Sequence, residues 1–263
     1  MKQNLYLYLV VVLVSLLFGF SLVSAVSPTG AVVSPQINET APADTAGNHS
    51  AIAGNVTEIT LVAFSTTQAW QGYYGNVSGT IQLADSTDNV FYNWSLGSPQ
   101  GEVYSSINGT VNWVYVQCFN FTADGSFASD TANAGGTSQF GMSLSMLEGN
   151  YTILTDDVDG VNETFTLSGA GTHDTFYTNN LNFSVGECMN TRVYSNGGAG
   201  VSNQFEEVLL YDPIGRNAIF TSILDEDVLG FDSAAHDFEM LVLEDGHGTN
   251  TATTTYYFYV EIE

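Results

Sequence analysis

The stretch Val77-Ser78-Gly79-Thr80-Ile81-Gln82-Leu83 and, after Asp85-Ser86-Thr87-Asp88, Asn89-Val90-Phe91-Tyr92-Asn93-Trp94-Ser95-Leu96 decides the fold class. Bulk collects at Val77, Ile81 and Leu83, with Gly79 in the same series, and again at Val90, Tyr92, Trp94 and Leu96. A strand presents alternate residues to opposite faces, so this period of two predicts a sheet with one buried face. The segment 85–89 reads as the hairpin turn, because Asp, Asn and Ser side chains bond their own backbone.

Working outward, the same style predicts strands over 58–64, 102–106, 110–121, 141–147 and 151–154. Turns are expected at Asn108-Gly109 and at Glu148-Gly149-Asn150, the first a strong hairpin signal. Later strands are expected over 206–211, 218–224, 238–243 and 253–262. Their connectors are Asp212-Pro213-Ile214-Gly215, Asp225-Glu226-Asp227 and Glu244-Asp245-Gly246-His247-Gly248. Helix formers never cluster at helical spacing over three turns. The expectation is an all-β protein, an antiparallel β-sandwich built as one large or two small units, with a subdivision near 190–205 if there are two.

Ahead of the β region 55–263 stand two other segments. Lys2, an apolar run over 5–24 and the small residues Val23-Ser24-Ala25 read as a signal peptide over 1–25. The run is also long enough, at roughly 20 residues, to serve as an uncleaved anchor. Residues 26–54, with Pro28, Pro35 and Pro42 among Ser, Thr, Ala and Asn, show no period and read as a flexible stalk. The final run 253–263 is a strong β-former that either pairs within its own sheet or, like the N-terminal segment, completes a sheet in a neighbouring molecule.

Charge narrows the partners. There are 28 acidic residues against 3 basic ones, and only Arg192 and Arg216 follow the leader. Nucleic acid and anionic membranes want a positive field, so neither is an expected partner. A membrane enters only through a retained leader. Self-association or other envelope proteins are the partners expected, at an extracellular or cell-surface location.

Ten Asn-X-Ser/Thr sequons lie at Asn38, Asn48, Asn55, Asn76, Asn93, Asn108, Asn120, Asn150, Asn162 and Asn182, and none follows. Glycans would coat the first two thirds and leave the last third bare, a surface free for packing. Cys118 and Cys188 are the only cysteines, and in an exported chain an even count favours a disulfide. Thiol catalysis is a poor alternative, since neither His173 nor His236 is placed beside a cysteine by the sequence.

No catalytic residue is expected. Asp157, Asp159, Asn162 and Glu163, with Gly160 for a tight turn, offer oxygen donors to a structural calcium ion, the one cofactor considered, against the reading of a solvated acidic turn. Asp225-Glu226-Asp227 with Asp232 and Asp237 is a second acidic cluster, though consecutive strand residues point apart. Among 28 acids some pair will meet glycosidase spacing by accident. Trp70, Trp94 and Trp113 are candidates for a sugar-stacking platform, or for core. No Ser-based elbow, phosphate loop or zinc helix is present.

The leader, the stalk, the acidic sequon-rich β region and the aromatic motifs Thr67-Gln68-Ala69-Trp70-Gln71-Gly72-Tyr73-Tyr74-Gly75-Asn76 and Asn93-Trp94-Ser95-Leu96 together resemble the secreted surface glycoproteins of archaea. The resemblance is one of style over most of the chain and brings no active site with it. It implies a lattice or filament subunit. An archaeal pilin would be cut before its apolar helix, whereas the small-residue pattern here follows the apolar run. The reading is therefore a non-catalytic structural protein, with a carbohydrate- or calcium-binding module as the alternative.

Overall fold

The computed structural model describes residues 27–34, 37–95, 98–127, 140–166, 172–194, 200–248 and 250–262, so the leader 1–25 lies outside the described residues. Among the described residues fifteen short strands are all paired antiparallel. The centre is β10 (Glu206–Asp212) and β11 (Asn217–Ile223), joined by the expected Asp-Pro-Ile-Gly turn. β11 pairs with β5 (Gly101–Ser106), which pairs with β15 (Tyr257–Ile262), which pairs at the edge with β1 (Thr29–Gly30). On the other side β10 pairs with β6 (Gln117–Cys118) and β9 (Asn190–Arg192), closing a seven-stranded sheet. The β9–β10 pairing spans the region near 190–205, so both flanks of that stretch belong to one sheet.

Every residue of β10 and the middle five of β11 are buried, because both faces of the main sheet are covered. One face carries Val103, Leu209, Tyr211 and Phe220, packed with Met240 and Val242 of β14 (Phe238–Leu243) and with Leu147 and Val161. β14 pairs with β2 (Trp70–Gly75), and the two form the smaller sheet of the sandwich. The opposite face carries Tyr104, Val208, Leu210, Ile219 and Tyr259, packed with Trp113, Val116, Phe176 and Phe183. Phe176 and Phe183 come from the hairpin β7 (Phe176–Thr178) and β8 (Leu181–Phe183), and their rings stack at 4.9 Å. A last pair, β12 (Val228–Leu229) with β13 (Ala235–His236), decorates the loop before β14.

Several expectations fail. Of residues 110–121 only β6 is strand, and residues 151–154 form none, because after α1 the chain runs on through turns. Residues 58–64 form no strand: they are exposed and, with residues 31–34 and 37–57, make an irregular arm with no sheet partner. Residues 144–150 form a helix, α1 (Leu144–Asn150), because Ser143 caps it by accepting from the Met146 amide and Leu147 turns into the core. A four-residue helix follows, α2 (Val161–Thr164). Asn108-Gly109 makes no two-strand hairpin: Asn108 Oδ1 instead accepts from the Thr110 amide at 3.0 Å, and the chain leaves the sheet until β6. The stalk too is not wholly structureless, since Ala31 donates to the Phe258 carbonyl at 2.9 Å to fasten β1 against β15.

The hairpin expected around 85–89 does form, as β3 (Thr80–Ala84) and β4 (Val90–Ser95), with Ile81 opposite Trp94 and Leu83 opposite Tyr92. Asp85 Oδ1 accepts from the Thr87 and Asn89 amides at 2.9 and 3.0 Å, which closes the turn. Side-chain bonds from Asn89, then Thr87, hold the Asp85 carboxyl well below the usual carboxylate range. The expected buried face is absent, however: every residue of both strands is exposed.

Cys118 and Cys188 form the disulfide, which closes a loop with a sequence separation of 70 and ties β6 to the segment before β9. Replacing both cysteines with alanine should lower unfolding stability by about 2–4 kcal/mol, read as a reduced urea midpoint with unchanged far-ultraviolet dichroism.

Candidate functional site

With two Arg residues after the leader, buried carboxylates have almost no cations to pair with, and both cations are already engaged. Arg192 Nε lies 3.7 Å from Glu206, and the Arg216 guanidinium sits 4.2 Å over the Phe127 ring. The acids are held by backbone N–H groups instead, most of them in loops. Glu206 accepts from Asp174 and Asn203, Asp225 from Phe205, Glu207 from Leu241, and Glu239 from Phe231. Asp212 accepts from Asn112 and Ile214, and Asp237 from Val77 and Asp227. Each such bond gives a backbone amide an acceptor.

Glu102 and Glu261 are direct partners across β5 and β15 and only 4% and 2% exposed. The Tyr104 hydroxyl lies 3.3 Å from Glu102 and 3.1 Å from Glu261, and the Asn179 amide lies 3.0 Å from both Glu261 oxygens. Burial, then the two neighbouring carboxylates, push the Tyr104 phenol well above its ordinary value. The turn between β7 and β8 packs on this pair through the Asn179 amide. Sequence reading missed it, although its signal was there: Glu261 shares parity with Tyr259, on the face opposite Phe258, Val260 and Ile262.

The proposed calcium ligands are brought into one loop but turned to other partners. Asp157 accepts from the Leu154 amide, and Asp159 from Thr67 Oγ1, while the Asp159 carbonyl accepts from Trp70 Nε1 at 2.6 Å. Glu163 instead lies beside Gly160, where Glu148 accepts from the Val161 amide at 3.2 Å. Burial raises the Glu148 carboxyl, with Glu163 and Asp157 adding to the rise. Asn162 is exposed on α2. Among the described residues no group of three or more His, Cys, Asp or Glu is arranged to hold a metal ion. In the second cluster the Asp225 amide donates to the Asp237 carbonyl at 2.8 Å and the Asp227 amide to the Asp237 carboxylate, while the Asp225 carboxyl accepts from Phe205 and Asp232 meets His236 Nε2 at 2.9 Å.

The three tryptophans form no common row. Trp113 is buried between Tyr104 and Tyr259, and Trp70 leans on Phe165 and Phe220. Trp94 alone is exposed, 4.8 Å from Tyr92 on the hairpin. His173 is fully buried beside the disulfide; its Nε2 accepts from the Cys188 amide at 3.0 Å and its Nδ1 meets the Asp174 carbonyl at 2.7 Å. That pattern requires the neutral Nδ1–H tautomer, a structural rather than a nucleophile-activating role.

Eight sequon asparagines are exposed: Asn38, Asn48, Asn55, Asn76, Asn93, Asn150, Asn162 and Asn182. Asn108 and Asn120 are half-buried, and Asn108 Nδ2 lies against Gly215 while donating to the Thr110 carbonyl at 3.1 Å. Much of the sequon-free last third is β10, β11 and β14, which are mainly interior. The gap in sequons therefore follows burial in this part of the chain, and is not by itself a bare packing surface. No family model, curated protein or solved structure matches this chain.

Two outcomes follow. Burial pushes Asp225 up to about 6 and Glu207 well above its ordinary value. Both stay protonated in the folded chain at a pH where the unfolded chain has released the proton, so stability is greatest near the unfolded value and falls as pH rises. The urea midpoint should decline from about pH 4 to pH 6, and Asp225→Asn should flatten that decline. If the chain is glycosylated, peptide mass spectrometry after deglycosylation should find Asn93, Asn150 and Asn182 modified and Asn108 unmodified.

Proposed function

We propose that this chain is an exported, N-glycosylated structural protein of the cell surface, a lattice, filament or envelope subunit without catalytic activity. One observation carries the reading: the hairpin β3–β4 leaves Ile81, Leu83, Tyr92 and Trp94 uncovered on one face, in a chain of net charge −25. Contiguous apolar patches are rare on soluble monomers, and those that persist mark contact surfaces. The opposite face carries Thr80, Gln82, Ser95, the sequon Asn93 and Phe91, itself 84% exposed, so a glycan at Asn93 would leave the face of Ile81, Leu83, Tyr92 and Trp94 bare.

The rest of the molecule agrees with this reading. The disulfide suits an oxidising compartment, as the leader implies. Among the described residues no helix is long and apolar enough to cross a membrane. The buried acids hold loops. A carbohydrate-binding reading is favoured by one feature, the exposed Tyr92–Trp94 pair, since a sugar ring stacks on such a face.

Negative-stain microscopy and intact-mass analysis of protein purified from the native cell surface, with and without calcium, test the proposal. Regular filaments or sheets of a glycosylated chain beginning near Val26 are expected. A monodisperse monomer under every condition overturns the proposal and directs attention to sugar binding.

A further inference from the structure

Among the described residues β2 pairs on one side only, with β14. On β14 the Leu241 amide donates to Glu207, the Glu239 carbonyl accepts from Ser222 and the Leu243 carbonyl accepts from the Tyr256 hydroxyl, so these groups face away from β2. Their register partners Gly72, Tyr74 and Trp70 are therefore non-bonded pairs, and the backbone groups of those three residues point to the unpaired side of β2. There the Gly72 carbonyl accepts from the side chain of its own neighbour Gln71. Gln71, Gly72 and Tyr74 are exposed, and a Cβ on Gly72 would meet nothing within 4 Å, which leaves room for another backbone to approach. The strand, Trp-Gln-Gly-Tyr-Tyr-Gly, holds neither the charge nor the proline that commonly guards an edge.

The chain also carries a strand-former that has no sheet. Residues 58–64, Glu-Ile-Thr-Leu-Val-Ala-Phe, are exposed throughout, Leu61 to 87%, and the Phe64 amide donates to Asp44 inside the arm. Ile59, Leu61 and Ala63 share one face, which is apolar and uncharged, while Glu58 and Thr60 lie on the other. A strand added along β2 would lie over Phe258, Val260 and Ile262, the half-buried row of β15 beside which Tyr73 meets Phe258 at 5.1 Å. The cleft there is lined as well by Glu39, Asp159, Glu163, Arg192 and Glu239, so the apolar match is a narrow strip and backbone ladder bonds carry the contact.

Resting on the structural reading above, we propose that residues 58–64 of a second copy add to the free edge of β2 as a third strand of the smaller sheet, with Ile59, Leu61 and Ala63 turned to the β15 row. The chain between the two segments disfavours closure within one copy. Residues 67–69 are held beside the continuation of β14: the Glu244 amide donates to the Ala69 carbonyl at 2.9 Å, the Gly246 amide to the Gln68 carbonyl at 2.8 Å, and Thr67 Oγ1 to Asp159. A hairpin joining 58–64 to β2 would therefore have to reverse at Ser65-Thr66. Two-residue hairpin turns need positive φ and take Asn-Gly, Asp-Gly or a leading Gly, and Ser followed by a β-branched Thr suits neither type. Without that turn, residues 58–64 run on past the start of β2, away from their own edge and toward that of a neighbour. Short hinges that resist turning back invite such exchange. Each copy holds both the free strand and the free edge, so the exchange is returned across a twofold axis and closes a dimer.

The test is backbone amide exchange together with sedimentation of the mature full chain over a range of concentrations. The amides of Gly72, Tyr74 and residues 58–64 should be protected in a dimer and lose that protection together on dilution. Leu61→Pro removes a ladder donor at an exposed site outside the sandwich. It should give a monomer in which both segments exchange freely while β10 and β11 keep their protection. Protection that persists in a monomer at every dilution overturns the proposal in favour of a hairpin within one copy. A monomer that is never protected, or a dimer that survives Leu61→Pro, overturns it outright. Surface arrays formed without this protection remove the contact and leave the structural reading standing, whereas a protected dimer that never builds arrays keeps the contact and removes that reading.

Discussion

Carboxylates bonded to backbone amides hold this molecule together. A sheet buried on both faces must satisfy every polar side chain it carries away from water. In β10 the residues Glu206, Glu207 and Asp212 are all buried, yet only Glu206 has a cationic neighbour. The others turn to backbone amides: Glu207 to Leu241 of β14, Asp212 to Asn112 and Ile214 in loops. The same device recurs at Glu239 and Glu261, which tie loops to strands, and at Asp225 and Asp237, which tie one loop to another. A chain nearly devoid of Lys and Arg thereby gains loop order without ion pairs.

The same device sets where the acidic motifs are directed. Asp157 and Asp159 have the spacing of cation ligands, but each carboxylate is directed to a nearby donor in the loop or in the approach to β2. Glu102 and Glu261 come close enough for acid–base chemistry, yet they are sealed beneath Asn179 and share the Tyr104 hydroxyl.

The strands at 206–211, 218–224, 238–243 and 253–262 were legible because β-branched and aromatic runs end at turns with their own side-chain bonds. Their pairing was not legible, since β5 lies between β11 and β15 through contacts more than a hundred residues apart. Residues 58–64 alternate as a strand should, but alternation records local preference and supplies no partner. The helix at 144–150 was hidden because one Ser143 cap and a buried Leu147 outweigh a short stretch that otherwise reads as strand. The exposed hairpin was read correctly in its turn and wrongly in its burial, because periodicity tells which residues share a face and not what lies against it. The buried carboxylates escaped notice for a related reason: parity marks Glu261, but only the tertiary fold brings Glu102 and Tyr104 to it.

The fastening of β1 to β15 sets how the molecule would bear load. Tension entering ahead of Ser27 would first meet only the short β1 ladder, with the Ala31 amide on Phe258 and the Ser27 hydroxyl on Asn179. Once that peels, residues 31–66 can pay out to roughly 120 Å at full extension before the pull reaches β2. The arm would act as a compliant leash, and the sandwich beyond it would remain folded through the early part of a stretch.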